Sequence, residues 1–327
     1  MSRTLVLGSN SFSGQDLVAL LLEETDDEVV GVSRGPEPAP FLVRYRDRSR
    51  FSFHRLDLNR DMDALLALLD RLRPARIVNF AAQSEVAPSW QHPEHWFRTN
   101  CVALARLVNH LARVDWLERY LHVSSPEAYG SCVGRVVEDA PMNPSTPYAA
   151  SKAAADLLLT TYRRQFGFPL LTVRATNVYG ARQQLFKIVP RTVISLRLGR
   201  TIELHGGGRA VKSYIHVSDV SRGELAILEK GRPGEVYHLS PDQGVAVRDV
   251  VETICRRMDR SFDASTRTVG ERPGQDAAYV IDSTKARAEL GWRSRVGLDE
   301  GLAEVIDWVG ENWSEIERMP LDYVHRE

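Results

Sequence analysis

Thr4-Leu5-Val6-Leu7-Gly8-Ser9-Asn10-Ser11-Phe12-Ser13-Gly14 is a short apolar run that breaks into a polar turn bounded by glycines. Leu17, Val18, Leu20, Leu21 and Leu22 follow in a helical pattern. Strand, glycine turn and helix, in that order, make the opening unit of a dinucleotide-binding α/β fold. Backbone N–H groups at such a helix start are placed to meet a pyrophosphate. The spacing is Gly8-x-x-Ser11-x-x-Gly14, with serine where a middle glycine is usual. An ordinary strand-to-helix turn has the same outline. Asn10, Ser11 and Phe12 complete the candidate cradle, and the side chains of Ser9, Asn10 and Ser11 add possible phosphate donors.

Further strand signals repeat downstream. Val29-Val30-Gly31-Val32 ends at Ser33-Arg34. An acidic residue there would hold a ribose 2′-hydroxyl, whereas serine followed by arginine suits a 2′-phosphate. The expectation is NADP, with NAD possible; a solvated Arg34 is the alternative. Residues 35–50, with three prolines, read as a loop, and Phe51-Ser52-Phe53-His54 as a strand. Asp57-Leu58 after it can reach an adenine edge, or Asp57 can cap the helix beginning near Met62. Ile77-Val78-Asn79-Phe80 runs into the small-residue turn Ala81-Ala82-Gln83-Ser84, which suits a flat cofactor. A helical pattern covers roughly 93–113, Tyr120-Leu121-His122-Val123 is a strand, Tyr148 to Phe166 is helical and Leu170 to Arg174 is a strand.

Six strand signals alternating with helices over 1–174 predict a doubly wound parallel sheet of Rossmann type. Beyond it, Gly206-Gly207-Gly208, Pro233-Gly234 and Arg272-Pro273-Gly274 punctuate a smaller, irregular α/β region. The expected division is a dinucleotide half over 1–174, rejoined by 213–241, and a substrate-binding region over 175–212 and 242–327. Leu302, Val305, Ile306 and Val309 mark a last helix, and the charged tail after Trp313 reads as surface.

The 327 residues carry a formal net charge of −1, so no overall field favours nucleic acid or a membrane surface. Cys101, Cys132 and Cys255 are far apart, which argues against a zinc site or disulfide framework and fits a reducing compartment. No signal peptide or transmembrane-length apolar run is visible, so the expectation is a cytoplasmic protein.

Tyr148-x-x-x-Lys152 after such a half-domain, with Ser125 upstream, resembles the short-chain dehydrogenase/reductase superfamily. Nearly the whole chain resembles its extended branch, the nucleotide-sugar epimerases and dehydratases. The supporting segments are Asn79 to Val86, Asn100, Arg174-Ala175-Thr176-Asn177-Val178-Tyr179-Gly180 and Arg272-Pro273-Gly274-Gln275-Asp276.

The resemblance implies that Tyr148 is the base for a sugar hydroxyl and Ser125 its hydrogen-bonding partner. Lys152 lies one helical turn from Tyr148 and favours its phenolate. Glu127 is similar to the carboxylate that removes a C5 proton in the dehydratases. Typical dTDP-glucose 4,6-dehydratases carry Thr-Asp-Glu here, the Asp serving as the acid for water loss; this chain has Ser125-Pro126-Glu127. GDP-mannose 4,6-dehydratases also lack that Asp, so Glu127 is assigned both base and acid roles. Cofactor contacts are expected from Gly8, Asn10, Ser11, Phe12, Gly14, Ser33, Arg34, Asp57, Leu58, Ala81, Ala82, Gln83 and Asn100, beside Tyr148 and Lys152. Substrate contacts are expected from Ser84, Glu85, Asn177, Lys187, Lys212 and Arg272. Glu85 stands where relatives often have histidine, and Lys212 where they have arginine. His205, His216 and His238 have no metal-ligand spacing.

The implied function is a nucleotide-sugar 4,6-dehydratase, a homodimer paired through the helices at 93–113 and 148–166. A 4-epimerase or hexuronate decarboxylase of the same family is the main alternative. A non-catalytic NADP-binding regulator is the alternative from outside it, and the intact Ser125, Tyr148 and Lys152 speak against that.

Overall fold

The apolar run at the start becomes strand β1 (Arg3–Leu7), and Ser11 caps helix α1 (Phe12–Glu24) by accepting from the Gly14 amide at 3.1 Å. The computed structural model describes residues 2–45, 47–132, 134–271 and 278–326. After α1 come β2 (Glu28–Ser33), β3 (Phe51–Arg55), α2 (Met62–Leu72) and β4 (Arg76–Asn79). Three helical pieces follow: α3 (Val86–Ser89), α4 (Pro93–Phe97) and α5 (Leu104–Leu111). A π-helical turn, Arg98–Ala103, joins the last two, so the helix expected at 93–113 is continuous but widened in its middle. Then come β5 (Arg119–Val123), α6 (Pro147–Phe166) and β6 (Leu170–Ala175).

These strands enter one parallel sheet. Its seventh member comes from the second half of the chain, which runs β7 (Asn177–Tyr179), α7 (Ile188–Arg197), β8 (Ile202–His205), β9 (Val211–Lys212), β10 (Tyr214–His216), α8 (Val217–Lys230) and β11 (Val236–Leu239). The sheet order is β11-β6-β5-β4-β1-β2-β3, so the order reverses beside β1. Such a reversal opens a crevice at the carboxyl ends of the strands, where ligands of α/β sheets bind.

Period-two alternation puts both faces under cover. Val6 packs with Leu17, Leu21 and Leu228 on one side, and Leu5 and Leu7 pack with Leu65, Leu69 and Leu107 on the other. A third core, including Val193, Ile254, Val305 and Val309, holds the smaller region together. Leu7 stands level with Val32 of β2 and Asn79 of β4, so the turns after these three strands gather at one end. Among the described residues no helix is long and apolar enough to cross a membrane.

Candidate active site

The glycine turn is tight for an identifiable reason. A Cβ on Gly14 would lie 2.4 Å from the Gly8 carbonyl oxygen, and one on Gly8, at φ +79°, would lie 2.8 Å from the Ala81 nitrogen. Ser11 has an extended backbone (φ −69°, ψ 157°) open to any residue, so its position needs no glycine and gains a cap instead. The first N–H groups of α1 lack intrahelical partners, as at every helix start, and suit an anion. Phe12 opens the helix and is buried.

Other expected cofactor residues brace this turn. The Ser33 hydroxyl accepts from the Asn10 amide at 3.0 Å and lies 3.4 Å from the Ser9 hydroxyl. The Asn10 side chain donates to the Gly35 and Pro36 carbonyls at 3.2 and 2.7 Å. Asn100, in the π-helical turn, clamps the Gln83 backbone, accepting from its N–H at 2.8 Å and donating to its carbonyl at 3.0 Å. It also donates to Ser151 of α6 at 2.9 Å, which ties the turn after β4 to the helix bearing Tyr148. Ala81 is held by the Asn79 side chain at 3.0 Å, and Ala82 follows it half-buried. Leu58 lies in the core with Leu65 and Leu69. Asp57 does not cap α2: the cap position belongs to Asp61, and the Asp57 carboxylate accepts from the Asn59 amide at 2.8 Å in the preceding turn.

Tyr148, Lys152, Ser125 and Glu127 meet at the end of β5. Ser125 caps a 3₁₀ turn, Pro126–Tyr129, by accepting from the Glu127 amide at 3.2 Å. Proline has no N–H to offer, and position 126 is where none is needed. Thr146 caps α6, and Ser89 receives the Tyr148 amide at 3.2 Å. Lys152 donates to the Val123 carbonyl at 2.8 Å and fixes α6 against β5. Burial lowers its pKa to about 8, against the pull of Asp156. Burial and then the charge of Glu127 push the Tyr148 phenol above its ordinary value; a hydrogen bond with Ser125 works the other way and the Glu85 charge adds to the rise. The direction is opposite to that expected from Lys152, because burial and the charges of Glu127, Glu85 and Asp156 prevail.

A buried ionic cluster lies below this set, and neither its partners nor its role were expected from the sequence. Arg174 (β6) donates to Asp156 (α6) at 2.6 Å, and the Ser124 hydroxyl reaches the same oxygen at 2.6 Å. His122 (β5) lies 3.4 Å from the other carboxylate oxygen. Arg174 also bonds the Tyr129 hydroxyl and stands 4.5 Å over that ring. The Tyr129 hydroxyl is 2.8 Å from His238 (β11). Burial pushes His122 down to about 4 and His238 down to about 3, so both are neutral near pH 7. His238, which has no metal-ligand spacing in the sequence, is a buried link in this chain. Asp156, four residues beyond Lys152, carried a visible signal, since a carboxylate one turn along a catalytic helix can act on its ammonium.

The substrate-side residues are more scattered. Lys187 precedes α7 and donates to Glu85 at 2.7 Å, so these two expected substrate contacts meet each other. Ser84 beside Glu85 is exposed. Asn177 opens β7, and Lys212 of β9 places its ammonium 5.8 Å from the Tyr279 ring centre. Arg272 lies outside the described residues. His205 bonds the Gly270 carbonyl at 2.9 Å, and His216 lies 2.9 Å from Glu304. The tail after Trp313 is not plain surface: Gln83 donates to the Arg326 carbonyl at 2.6 Å, and His325 stacks on Trp96.

The chain is similar in sequence and fold to known proteins. Residues 5–305 match the family described as GDP-mannose 4,6-dehydratase. A dTDP-glucose 4,6-dehydratase of Streptomyces antibioticus is 34% identical over 97% of this chain and 96% of its own length. A dTDP-glucose 4,6-dehydratase of Streptomyces venezuelae, solved with NAD, superposes with a TM-score of 0.87 at 31% identity, over 95% of this chain and 98% of that one. A UDP-glucuronic acid 4-epimerase of Bacillus cereus, also solved with NAD, gives 0.86 at 25% identity, over 94% and 99%.

Proposed function

The chain belongs to the GDP-mannose 4,6-dehydratase family, within the extended short-chain dehydrogenases/reductases, and from that membership we propose that it is a nucleotide-sugar 4,6-dehydratase. The observation that carries the proposal is Glu127. It shares one 3₁₀ turn with Ser125, and its charge acts on Tyr148. A carboxylate so placed supplies what water loss needs beyond oxidation.

The Gly8–Gly14 turn, too close for side chains and opening on the start of α1, fits a dinucleotide pyrophosphate, with Ala81 and Ala82 flanking it. When bound, the nicotinamide of that dinucleotide would supply a hydride acceptor for the sugar and a donor for its return. Tyr148 takes the proton of the C4 hydroxyl, which Ser125 orients. The resulting 4-keto group acidifies C5, and Glu127 removes that proton. Glu127 then protonates the departing C6 hydroxyl, and water leaves. A proton returned to C5 balances the one taken by Tyr148, and hydride at C6 completes a 4-keto-6-deoxy sugar. Asn177, Lys187, Lys212 and Arg272 are assigned to the nucleotide diphosphate, and Ser84 and Glu85 to the sugar.

Solved relatives carry NAD. A preference for NADP would rest on Arg34, since the Ser33 hydroxyl is already bonded to the Asn10 amide. Arg34→Ala should weaken NADP binding far more than NAD binding in titration calorimetry if that preference exists; equal effects refute it.

A homodimer is proposed because apolar side chains stand exposed along the helices expected to pair. Phe97 and Val102 lie on one, and Leu157 and Phe166 on the other. We divide the chain into a dinucleotide half (1–174 with 213–241) and a nucleotide-sugar region (175–212 and 242–327); β11 in the large sheet supports the return. The compartment we propose is the cytoplasm, on the wide spacing of Cys101, Cys132 and Cys255 in the sequence.

The likeness to a 4-epimerase favours one second reading, because Ser125, Tyr148 and Lys152 would serve that reaction equally. The test is mass analysis of products from GDP-, dTDP-, UDP- and CDP-hexoses and hexuronates with either dinucleotide. Loss of one water without net dinucleotide reduction is the expected result. Unchanged mass with a new stereoisomer would replace the dehydratase by the epimerase, and loss of carbon dioxide from a hexuronate by a decarboxylase.

A further inference from the structure

Residues 321–326 fold back across the crevice at the carboxyl end of the sheet. Arg34 follows β2 and Gln83 follows β4, and the order β4-β1-β2 places β1 between them. The carbonyl oxygen of Arg326 accepts from Arg34 at 3.2 Å and from Gln83 at 2.6 Å. One oxygen that reaches both side chains therefore lies over the end of β1, where the Gly8 turn begins. Two anchors hold the segment there. The His325 ring nitrogen Nε2 is 2.8 Å from Nδ1 of His95, and its ring stacks on Trp96 and His92 with centroids 5.2 and 5.4 Å apart. The Tyr323 ring packs edge-on against Phe186 at 5.3 Å, next to the Lys187–Glu85 pair.

We propose that residues 321–326 form an internal strap that occupies the dinucleotide crevice and must leave before the dinucleotide binds. The proposal rests on the assignment of that crevice to NAD or NADP. Its physical basis is competition for the same groups. The strap's backbone oxygen uses the Gln83 and Arg34 donors, and it lies over the turn whose N–H groups suit a pyrophosphate. The apparent affinity for the dinucleotide is then the intrinsic affinity reduced by the fraction of molecules with the strap open. The anchors are aromatic contacts and one imidazole pair, each individually modest, so opening is accessible in the native state.

The full chain carrying Tyr323→Ala and His325→Ala loses both anchors and none of the catalytic residues. Calorimetric titration with NAD+ should show Kd tightened by about three- to tenfold relative to the unaltered chain, the gain expected from releasing a largely closed strap. A nitroxide on Val324→Cys, a site 64% exposed, should become more mobile when NAD+ is added to a chain whose anchors are intact. Binding of NAD+ with equal affinity in both proteins and no change in label mobility overturns the strap and leaves the dinucleotide assignment standing. A label that becomes less mobile shows the segment closing over the dinucleotide, and also overturns it. Failure of both proteins to bind either dinucleotide overturns the cofactor assignment, and the strap with it.

Discussion

Replacing Asp156 by asparagine tests whether the buried ionic cluster holds the catalytic floor. Asp156 and Arg174 are 5% and 2% exposed, so the substitution leaves a guanidinium without a counter-charge inside the protein. Breaking a buried pair from one side costs about 3–5 kcal/mol. Asparagine keeps one acceptor for Arg174 or Ser124, which points to the lower end, about 3 kcal/mol. With roughly 2.1 cal/mol/K of unfolding entropy per residue, the 327-residue chain has about 0.7 kcal/mol/K. A loss of about 3 kcal/mol then lowers Tm by roughly 4 °C. Thermal melting by circular dichroism is the assay, at one protein concentration because association also shifts Tm. Although burial pushes the Asp156 pKa up, the neighbouring His122 ring and the Arg174 charge hold it below the ordinary carboxylate range. The sign follows. Its contribution is complete above the unfolded pKa of about 4 and is lost as pH falls through the lower folded value. The deficit should therefore persist from neutral pH to about 4 and shrink only below that. Adding Arg174→Met removes the stranded charge and should recover part of the loss. A Tm drop under about 1 °C, or a double variant no better than the single one, would refute the claim that the pair is shielded from water.

Three further outcomes follow from the site and its surroundings. Glu127→Gln should abolish water loss, by about 100-fold or more, yet still reduce dinucleotide in a single turnover read at 340 nm as about one equivalent; dehydration at the normal rate sinks the assignment. kcat/KM should fall above pH about 8, as Lys152 gives up its proton, and Asp156→Asn should move that limb to lower pH because the Asp156 charge holds the ammonium up; an unmoved limb contradicts this. Burial and then the Asp16 charge raise the Glu224 pKa well above its ordinary value, so stability should decline as pH rises from the unfolded pKa of about 4.3 toward the folded one. Glu224→Gln should flatten that decline and melt higher at pH 8, by about 1–3 kcal/mol in stability.

What was legible in the sequence is what local spacing encodes. β1, its glycine turn and α1 depend on neighbouring residues, and the predicted strands from 4 to 174 lie within two residues of the observed ones. Tyr148 and Lys152 were legible because four residues make one helical turn. The ionic cluster was not, because His122, Arg174 and His238 lie on three strands that become neighbours only in the order β11-β6-β5. Register then sets His238 level with Arg174, and no periodicity within either segment announces it. The strap was missed for the same reason. Its short polar-aromatic run has no helical or strand pattern, and its partners Arg34, Gln83, His95 and Phe186 lie far away along the chain. The phenol's raised pKa was hidden because spacing shows the lysine but not the burial or the approach of Glu85.

Pro126 gains a physical meaning from this charge arrangement. Tyr148 already feels Glu127 and Glu85, and both oppose the phenolate that proton removal from the sugar requires. Lys187 offsets Glu85 across 2.7 Å, and the Lys152 ammonium, held on the Val123 carbonyl, lies one helical turn from Tyr148. An aspartate at 126, such as the resemblance to Thr-Asp-Glu enzymes would supply, adds a further carboxylate to those of Glu127, Glu85 and Asp156. It would push the phenol further from the ionisation it needs. Proline instead leaves position 126 neutral and starts the 3₁₀ turn without a wasted N–H, so that Ser125 can cap Glu127. With Glu85 bound to Lys187, Glu127 is the carboxylate on the Ser125 turn for which the base and acid roles are proposed. The proline and the double role proposed for Glu127 fit one charge balance.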